Sequence, residues 1–287
     1  MKTAVMTDSN SGITKAEADE LGIFLMPMPV IIDGEICFEG TDLTQEMFYD
    51  GLKSGKDVST SQPSLGDVLD MWDEILEMGY EDLVYIPMSS GLSNSCETAI
   101  GLSMDYDGKV QVADNHRISV TLRESVLEAR ELAQEGASAK EIKEDLEARA
   151  YDSSIYITVD TLEFLKKGGR VTPAGAALGA VLNIKPVLTI QGERLDAFAK
   201  VRGMKKGKHK MIEGLKQDLE TRFRDADMSK VVIAAAGAGL TKEEEEEWTN
   251  ELREAFPQVK VHYNPLSFSI ACHTGPGAIG TGLVVRK

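Results

Sequence analysis

Short apolar runs alternate with helix-period segments through the first half of this chain, and that alternation restricts the fold more than any other feature. Lys2 to Thr7 reads as a strand that ends at Asp8-Ser9-Asn10-Ser11-Gly12. Lys15 to Leu21 reads as a helix stopped at Gly22. Leu83 to Met88 is a second strand of buried character, running into the polar stretch Ser89 to Ser95 and then a helix. Lys109 to Ala113 is a third, followed by Leu122, Val126, Ala129 and Ala133 at helical spacing. Strands alternating with helices predict a parallel sheet covered on both faces. Ligands bind such sheets beyond the carboxyl ends of the strands. The loops after Thr7 and Met88 are therefore the first places to expect a site.

Other segments fit around that frame. Ile23 to Ile32 is continuously apolar, but Pro27 and Pro29 predict an edge or irregular strand. Asp33-Gly34 is a turn signal, with Glu35 to Phe38 returning as a hairpin. Ser64 with Asp67 approximates a capping box ahead of a helix carrying Val68, Trp72, Ile75 and Leu76, and Ser138 with Glu141 caps another. From Tyr151 onward the pattern changes. Strands are predicted at Ile155 to Val159, Ile184 to Ile190, Val231 to Ala236, Val259 to Tyr263 and Leu283 to Arg286, with Arg194 to Val201 pairing beside the second. A helix starts near Thr241. The expectation is an α/β chain of two domains. Residues 1–150 form a mainly parallel sheet with helices on both faces, and residues 151–287 form an α+β unit with a mixed sheet.

Charge and cysteine content narrow the function. Lys and Arg number 31 against 47 Asp and Glu, a net charge of −16. Neutralising a polyanion needs a basic surface, so no nucleic-acid role is expected, and spontaneous binding to anionic lipid is disfavoured. Cys37, Cys96 and Cys272 lie far apart, a sparse odd count that fits a reducing compartment. The start MKTAVMTDSNS turns polar too soon for the apolar region of a signal peptide, and no apolar run reaches the roughly 18 residues of a membrane span. A soluble, cytoplasmic protein is expected.

Several motifs fail on inspection. Gly275-Pro-Gly277-Ala-Ile-Gly280 matches G-x-G-x-x-G, but residues 281–287 offer no βαβ unit and no acidic partner. Gly51-Leu-Lys-Ser-Gly55-Lys56 lacks P-loop spacing. There is no HExxH and no tight Cys/His cluster, so no catalytic metal is expected. Gly91-Leu-Ser93-Asn-Ser95 misses the nucleophile elbow at its last position.

Three hydroxyl-rich loops remain: Thr7 to Ser11, Thr60 to Ser64 and Ser89 to Ser95. The latter two stand just before helices, whose free N–H groups suit an anion such as a carboxylate or phosphate. Plain helix capping by Ser and Thr is the simpler account of any one of them taken alone. Three such loops after successive strands favour a shared anion site.

Six fragments carry a resemblance to a known family: Thr7-Asp-Ser9, Thr60-Ser-Gln-Pro63, Ser89-Ser-Gly-Leu-Ser93, Leu165-Lys-Lys-Gly-Gly-Arg170, Ile184-Lys-Pro186 and His273-Thr-Gly-Pro-Gly277. In that order, over essentially the whole chain, they resemble the DegV family, the FakB-type fatty-acid-binding subunits of bacterial fatty acid kinase. The resemblance implies a long-chain fatty acid as ligand, no other cofactor, and no catalysis by this chain. The acid's carboxylate would be presented to a separate ATP-dependent kinase subunit that makes an acyl phosphate. The carboxylate would be held by Ser61, with Thr60 beside it, and by Ser93. Gly91 and Asn94 of the same loop and His273 complete that set. Arg170 and Arg202 would lie near the head group or at the partner-facing surface. Delivery of the lipid leaves transient membrane contact open. Asn94-Ser95 stands where the family often has Gly-Thr, and Asp114-Asn115-His116 where it often has Asp-Ser.

Two other readings compete. One is a serine hydrolase with Ser93 as nucleophile, His273 as base and Asp8 as orienting acid. The other is a phosphohistidine carrier using His273. Among the remaining features, His116 and His209 are expected to be exposed, His262 to fill a strand position and Cys272 to be a small buried residue. The run 174–182 either lines a lipid pocket or lets a helix pack closely. Lys205, Lys206, Lys208, His209 and Lys210 are either a solvated turn or a docking surface.

Overall fold

Every residue from Thr3 to Asp8 is buried, and so is every one from Leu83 to Ile86. Strands apolar on both faces need cover on both sides. The computed structural model describes residues 2–178 and 184–287 and shows what provides that cover. In chain order come β1 (Thr3–Asp8), α1 (Lys15–Leu21), β2 (Phe24–Met26), β3 (Pro29–Ile32), β4 (Glu35–Phe38), α2 (Gln45–Lys53) and β5 (Val58–Thr60). Next are α3 (Leu65–Glu77), β6 (Asp82–Ile86), α4 (Ser95–Ser103), β7 (Val110–Val112), α5 (Ser119–Gln134) and α6 (Ala139–Ala148). The second half holds β8 (Ser153–Thr158), α7 (Glu163–Gly168), α8 (Pro173–Ala177), β9 (Ile184–Ile190), β10 (Asp196–Arg202) and α9 (Met204–Glu220). It ends with β11 (Val231–Gly237), α10 (Lys242–Ala255), β12 (Lys260–Pro265), α11 (Phe268–Thr274) and β13 (Ile279–Val285).

Three sheets result. The first, in order β2-β1-β6-β7, is wholly parallel. Alternate side chains divide between its faces. Ala4, Met6, Leu83 and Tyr85 pack with Val68, Trp72 and Ile75 of α3, while Val5, Val84 and Ile86 pack with Leu122, Val126 and Ile142 of α5 and α6. The chain places β2 on one side of β1 and then β6 on the other. The strand order therefore reverses at β1/β6, and a crevice opens beyond their carboxyl ends. A small antiparallel sheet, β4-β3-β5, stands beside it.

The third sheet, in order β10-β9-β8-β13-β11-β12, is antiparallel except between β11 and β12. One face packs Tyr156, Val187 and Ile233 against Met211, Leu215, Trp248 and Leu252 of α9 and α10. The other turns Ile157, Leu188, Ile190 and Ala236 toward the first half of the chain, in one continuous core with Val5, Ile86 and Leu122. Mixed α/β architecture with a parallel sheet and a separate mixed sheet is as the alternation implied.

Some expectations need correction. The run 23–32 is not one strand: β2 joins the parallel sheet and β3 the small one, because the prolines interrupt any single ladder. The final strand begins at Ile279, so Gly280 is strand rather than loop. The basic cluster 205–210 is helical, not a turn. There Lys208 is buried and paired with Glu247 and Glu251, while Lys210 pairs with Glu213. His116 is not exposed: it is half-buried and stacks on Tyr151 at 5.5 Å between centroids. Of the run 174–182, residues 179–182 lie outside the described residues.

Candidate functional site

The ends of β1 and β6 are tied together by Asp8. Its buried carboxylate accepts the Met88 amide at 2.8 Å and the Asn10 amide at 2.9 Å. Burial raises its pKa to about 6. Around these loops lies a cavity of about 280 Å³. Its floor is the inward face of the third sheet, with Ile155, Ile157, Ile190, Ala236 and Gly280. Met28, Met88, Leu92, Ile118 and Val120 close it from the first half. The small residues at 236 and 280 leave the hollow, since a side chain at Gly280 would meet nothing nearer than 3.4 Å.

Polar groups gather at one part of the wall. Thr60, at the end of β5, continues into Ser61 and Gln62 before Ser64 caps α3 through the Asp67 amide. Gln62 accepts from Thr98 of α4 at 3.2 Å, joining this loop to its neighbour. Ser93 and Asn94 precede α4. Asn94 is exposed, makes no side-chain cap, and leaves Ser93 Oγ to accept the Ser95 amide at 3.2 Å. His273, near the end of α11, shares a 2.8 Å hydrogen bond between Nε2 and Thr60 Oγ1. Burial, then the nearby Arg170 charge, pushes its pKa down to about 4, so the ring is neutral at ordinary pH.

The Gly168-Gly169 pair has two separate causes. Gly169 ends α7 with φ 69°, a left-handed conformation that glycine adopts without steric cost. Gly168 lies against the His273 ring, and a Cβ there would strike Nδ1. Arg170 follows directly. Its Nε donates to Leu92 O at 3.2 Å and its Nη1 donates to Gly168 O. The guanidinium is thereby fixed between the 89–95 loop and α7.

Thr60, Ser61, Ser93, Asn94, His273 and Arg170 all line the cavity. Gly91 does not: it lines an open depression just outside, which shares Leu92, Ser93, Asn94 and Arg170 with the cavity. Arg202 lines neither. It sits at the far end of β10, eight residues along the chain from Arg194 at the depression, and a strand rises about 3.3 Å per residue. The structure thus separates Arg202 from the head-group loops. Asn10, Gln62, Ser269 and Thr274 also line the cavity. Gln62 and Thr274 were within reach of sequence reasoning through the Thr60–Pro63 and His273–Gly277 fragments, but Ser269 sits in a short helix outside any motif.

The hydrolase constellation is not assembled. Asp8 spends its oxygens on backbone amides, and His273 meets Thr60 rather than Ser93. The phosphohistidine reading fares no better, because Nε2 is hydrogen-bonded and Nδ1 packs on Gly168. Among the described residues no three His, Cys, Asp or Glu side chains gather as a metal site. No described helix is long and apolar enough to cross a membrane.

Comparison with known proteins agrees with this geometry. Residues 2–286 match the family described as "Uncharacterised protein, DegV family". A DegV domain-containing protein of Deinococcus radiodurans is 30% identical over 99% of this chain and 98% of its own. Among solved structures, a DegV family protein from Thermus thermophilus, described for its fatty acid binding, superposes with a TM-score of 0.88 at 29% identity, covering 99% of this chain and 100% of its own. DegV from Bacillus subtilis, described as a fatty acid binding protein, gives 0.86 at 28% identity, with both chains fully covered. With hydroxyl loops, glycine pair and histidine all in their places, the chain belongs to the DegV family.

Proposed function

We propose that this protein binds a long-chain fatty acid, with the acyl chain in the cavity and the carboxylate at Thr60, Ser61, Ser93, Asn94 and His273. The observation that carries this reading is an apolar hollow bounded at one part by hydroxyls, a neutral imidazole and a fixed arginine. Burying some 15 methylenes at about 0.8 kcal/mol each gives about 12 kcal/mol gross. Immobilisation consumes much of it. The polar end therefore sets orientation more than affinity, and each hydrogen bond to the charged carboxylate adds about 1.5–3 kcal/mol.

The chain itself is a carrier rather than a catalyst. The carboxylate is held by hydroxyls beside an open depression, where a separate kinase subunit can reach it. In that reaction a carboxylate oxygen attacks the γ-phosphorus of ATP, the bond to the β,γ-bridging oxygen breaks, and ADP leaves. Residues 1–150 supply the hydroxyl loops as one domain, and residues 151–287 supply Arg170 and His273 as the other. Arg170 also faces the docking partner. We place this exchange in the bacterial cytoplasm, with transient membrane contact to load the lipid.

Calorimetric titration with palmitate tests the binding step. Ser93→Ala is expected to weaken affinity about tenfold, corresponding to about 1.4 kcal/mol. Unchanged affinity, together with unchanged acyl phosphate formation by an added fatty acid kinase subunit and ATP, would contradict the role of Ser93.

A further inference from the structure

Helix α5 begins without a side-chain cap. Ile118 stands at its N-cap and has no oxygen to offer, and the first turn holds no acidic residue. By contrast Ser64, Ser138 and Thr241 cap α3, α6 and α10. The amides of Ser119, Val120 and Thr121 meet no backbone or capping acceptor among the described residues. Such orphan N–H groups are satisfied by water or by a ligand when no side chain serves. Ile118, Ser119 and Val120 all line the cavity, so this helix start opens on the hollow.

The Ser119 side chain adds an independent observation. The residue is only 6% exposed, and its Oγ has no hydrogen-bonding partner. A buried hydroxyl left without a partner lowers stability, and one in a cavity wall is satisfied by whatever fills the cavity. The place is set apart from the Thr60–His273 pair. A Cβ on Gly282 of β13 would strike Val120 Cγ2 and Thr121 Cγ2, so α5 begins over that strand position. Across the sheet Gly282 pairs with Ile155, and Ile155 with Ile190, both of which line the cavity. The helix that carries His273 leads instead into the start of β13 at Ile279. That is about 10 Å back along the strand, at about 3.3 Å per residue.

These donors call for an oxygen, and the helix dipole adds partial positive charge. A second carboxylate does not suit a wall of Ile118, Val120, Ile155 and Ile190, since an unpaired buried charge is costly. A neutral hydroxyl suits it. It accepts from the free amides and exchanges a hydrogen bond with Ser119 Oγ.

We propose that the start of α5, with Ser119, is a second polar subsite inside the cavity, which takes a hydroxyl carried partway along the acyl chain. The protein is thereby fitted to hydroxylated long-chain fatty acids. The proposal rests on the fatty-acid reading above and adds to it the chemical class of the chain.

The test uses the full chain stripped of lipid, titrated with palmitate and with monohydroxypalmitates substituted at successive positions from C3 to C12. A hydroxyl that enters an apolar wall loses its water without recompense, so most isomers are expected to bind about tenfold or more weakly than palmitate. One isomer, or two neighbouring ones, is expected to bind at least as tightly as palmitate. Ser119→Gly is expected to keep the fold, because Ser119 has φ 55°, which glycine adopts without strain. It should weaken the favoured isomer about three- to tenfold and leave palmitate within about twofold. Ser119→Ala, which also lacks the hydroxyl, is expected to match it. If every isomer binds more weakly than palmitate, or if the favoured isomer is unaffected by both variants, the subsite is overturned and fatty-acid binding stands. Equal weakening of palmitate and the favoured isomer, or a loss in only one of the two variants, would assign the effect to backbone shape and also overturn it. Wild-type protein that takes up no fatty acid at all would remove the fatty-acid reading and this proposal together.

Discussion

At the scale of single residues, the site works through neutral donors beside one fixed positive charge. His273 is held neutral by burial, with its pKa near 4. The folded ring therefore binds a proton less readily than the unfolded one. Acidification from about pH 6.5 toward 4 protonates the unfolded chain first, and stability falls over that window. His273→Asn should remove part of that loss, on the order of 1–3 kcal/mol. Denaturant unfolding of both proteins at neutral and acid pH measures it, and parallel curves would show that the ring is not buried as described. Asp8 acts in the opposite sense. Its raised pKa means the fold gains stability as pH falls from about 6 toward the ordinary carboxylate value. The hydroxyl loops were legible in the sequence because Ser, Thr and Gly stand there in unusual concentration. Arg202 lines neither the cavity nor the depression, because a resemblance between fragments does not say which end of a strand faces the cavity.

At the scale of elements, α11 is the part that most needs support, since it is short and carries Ser269, Ile270, His273 and Thr274 to the cavity. Glu39, from the loop after β4, accepts the Phe268 amide at 2.8 Å and so caps this helix from across the fold. Burial pushes its carboxyl up to about 7. Glu39→Gln keeps an acceptor and removes the buried charge. It should raise stability at about pH 8 by about 1–2 kcal/mol, with the gain vanishing below about pH 5. A loss of stability at pH 8 would show that the charge itself is needed. Gly168→Ala should cost about 1–3 kcal/mol and weaken palmitate binding, because its Cβ displaces His273. Unchanged melting and affinity would count against that contact. Neither α11 nor α9 was visible in the sequence. The first is a seven-residue helix among loops. The second carries Gly207 and Gly214, which weaken helix propensity but let the helix approach Thr158 and Tyr156.

At the scale of the whole molecule, the cavity exists because two sheets face each other across an incompletely filled core. Alternating strands and helices disclosed the parallel sheet and its strand-end loops. The hollow itself was not legible, since it depends on Ala236 and Gly280 meeting Met88 and Val120 from the other half. Enlarging Ala236 to Leu should fill part of it without unfolding the protein. Affinity should then shift toward shorter acyl chains, and a competition series of saturated acids would show it. An unchanged chain-length profile would place the acyl chain elsewhere. The most direct measurement of the central claim is native mass spectrometry of freshly purified protein, followed by lipid extraction. One long-chain fatty acid per polypeptide, displaced by added palmitate and diminished in a Ser93→Ala, Thr60→Val double variant, is the expected result. A protein that purifies without lipid and takes none up would contradict it.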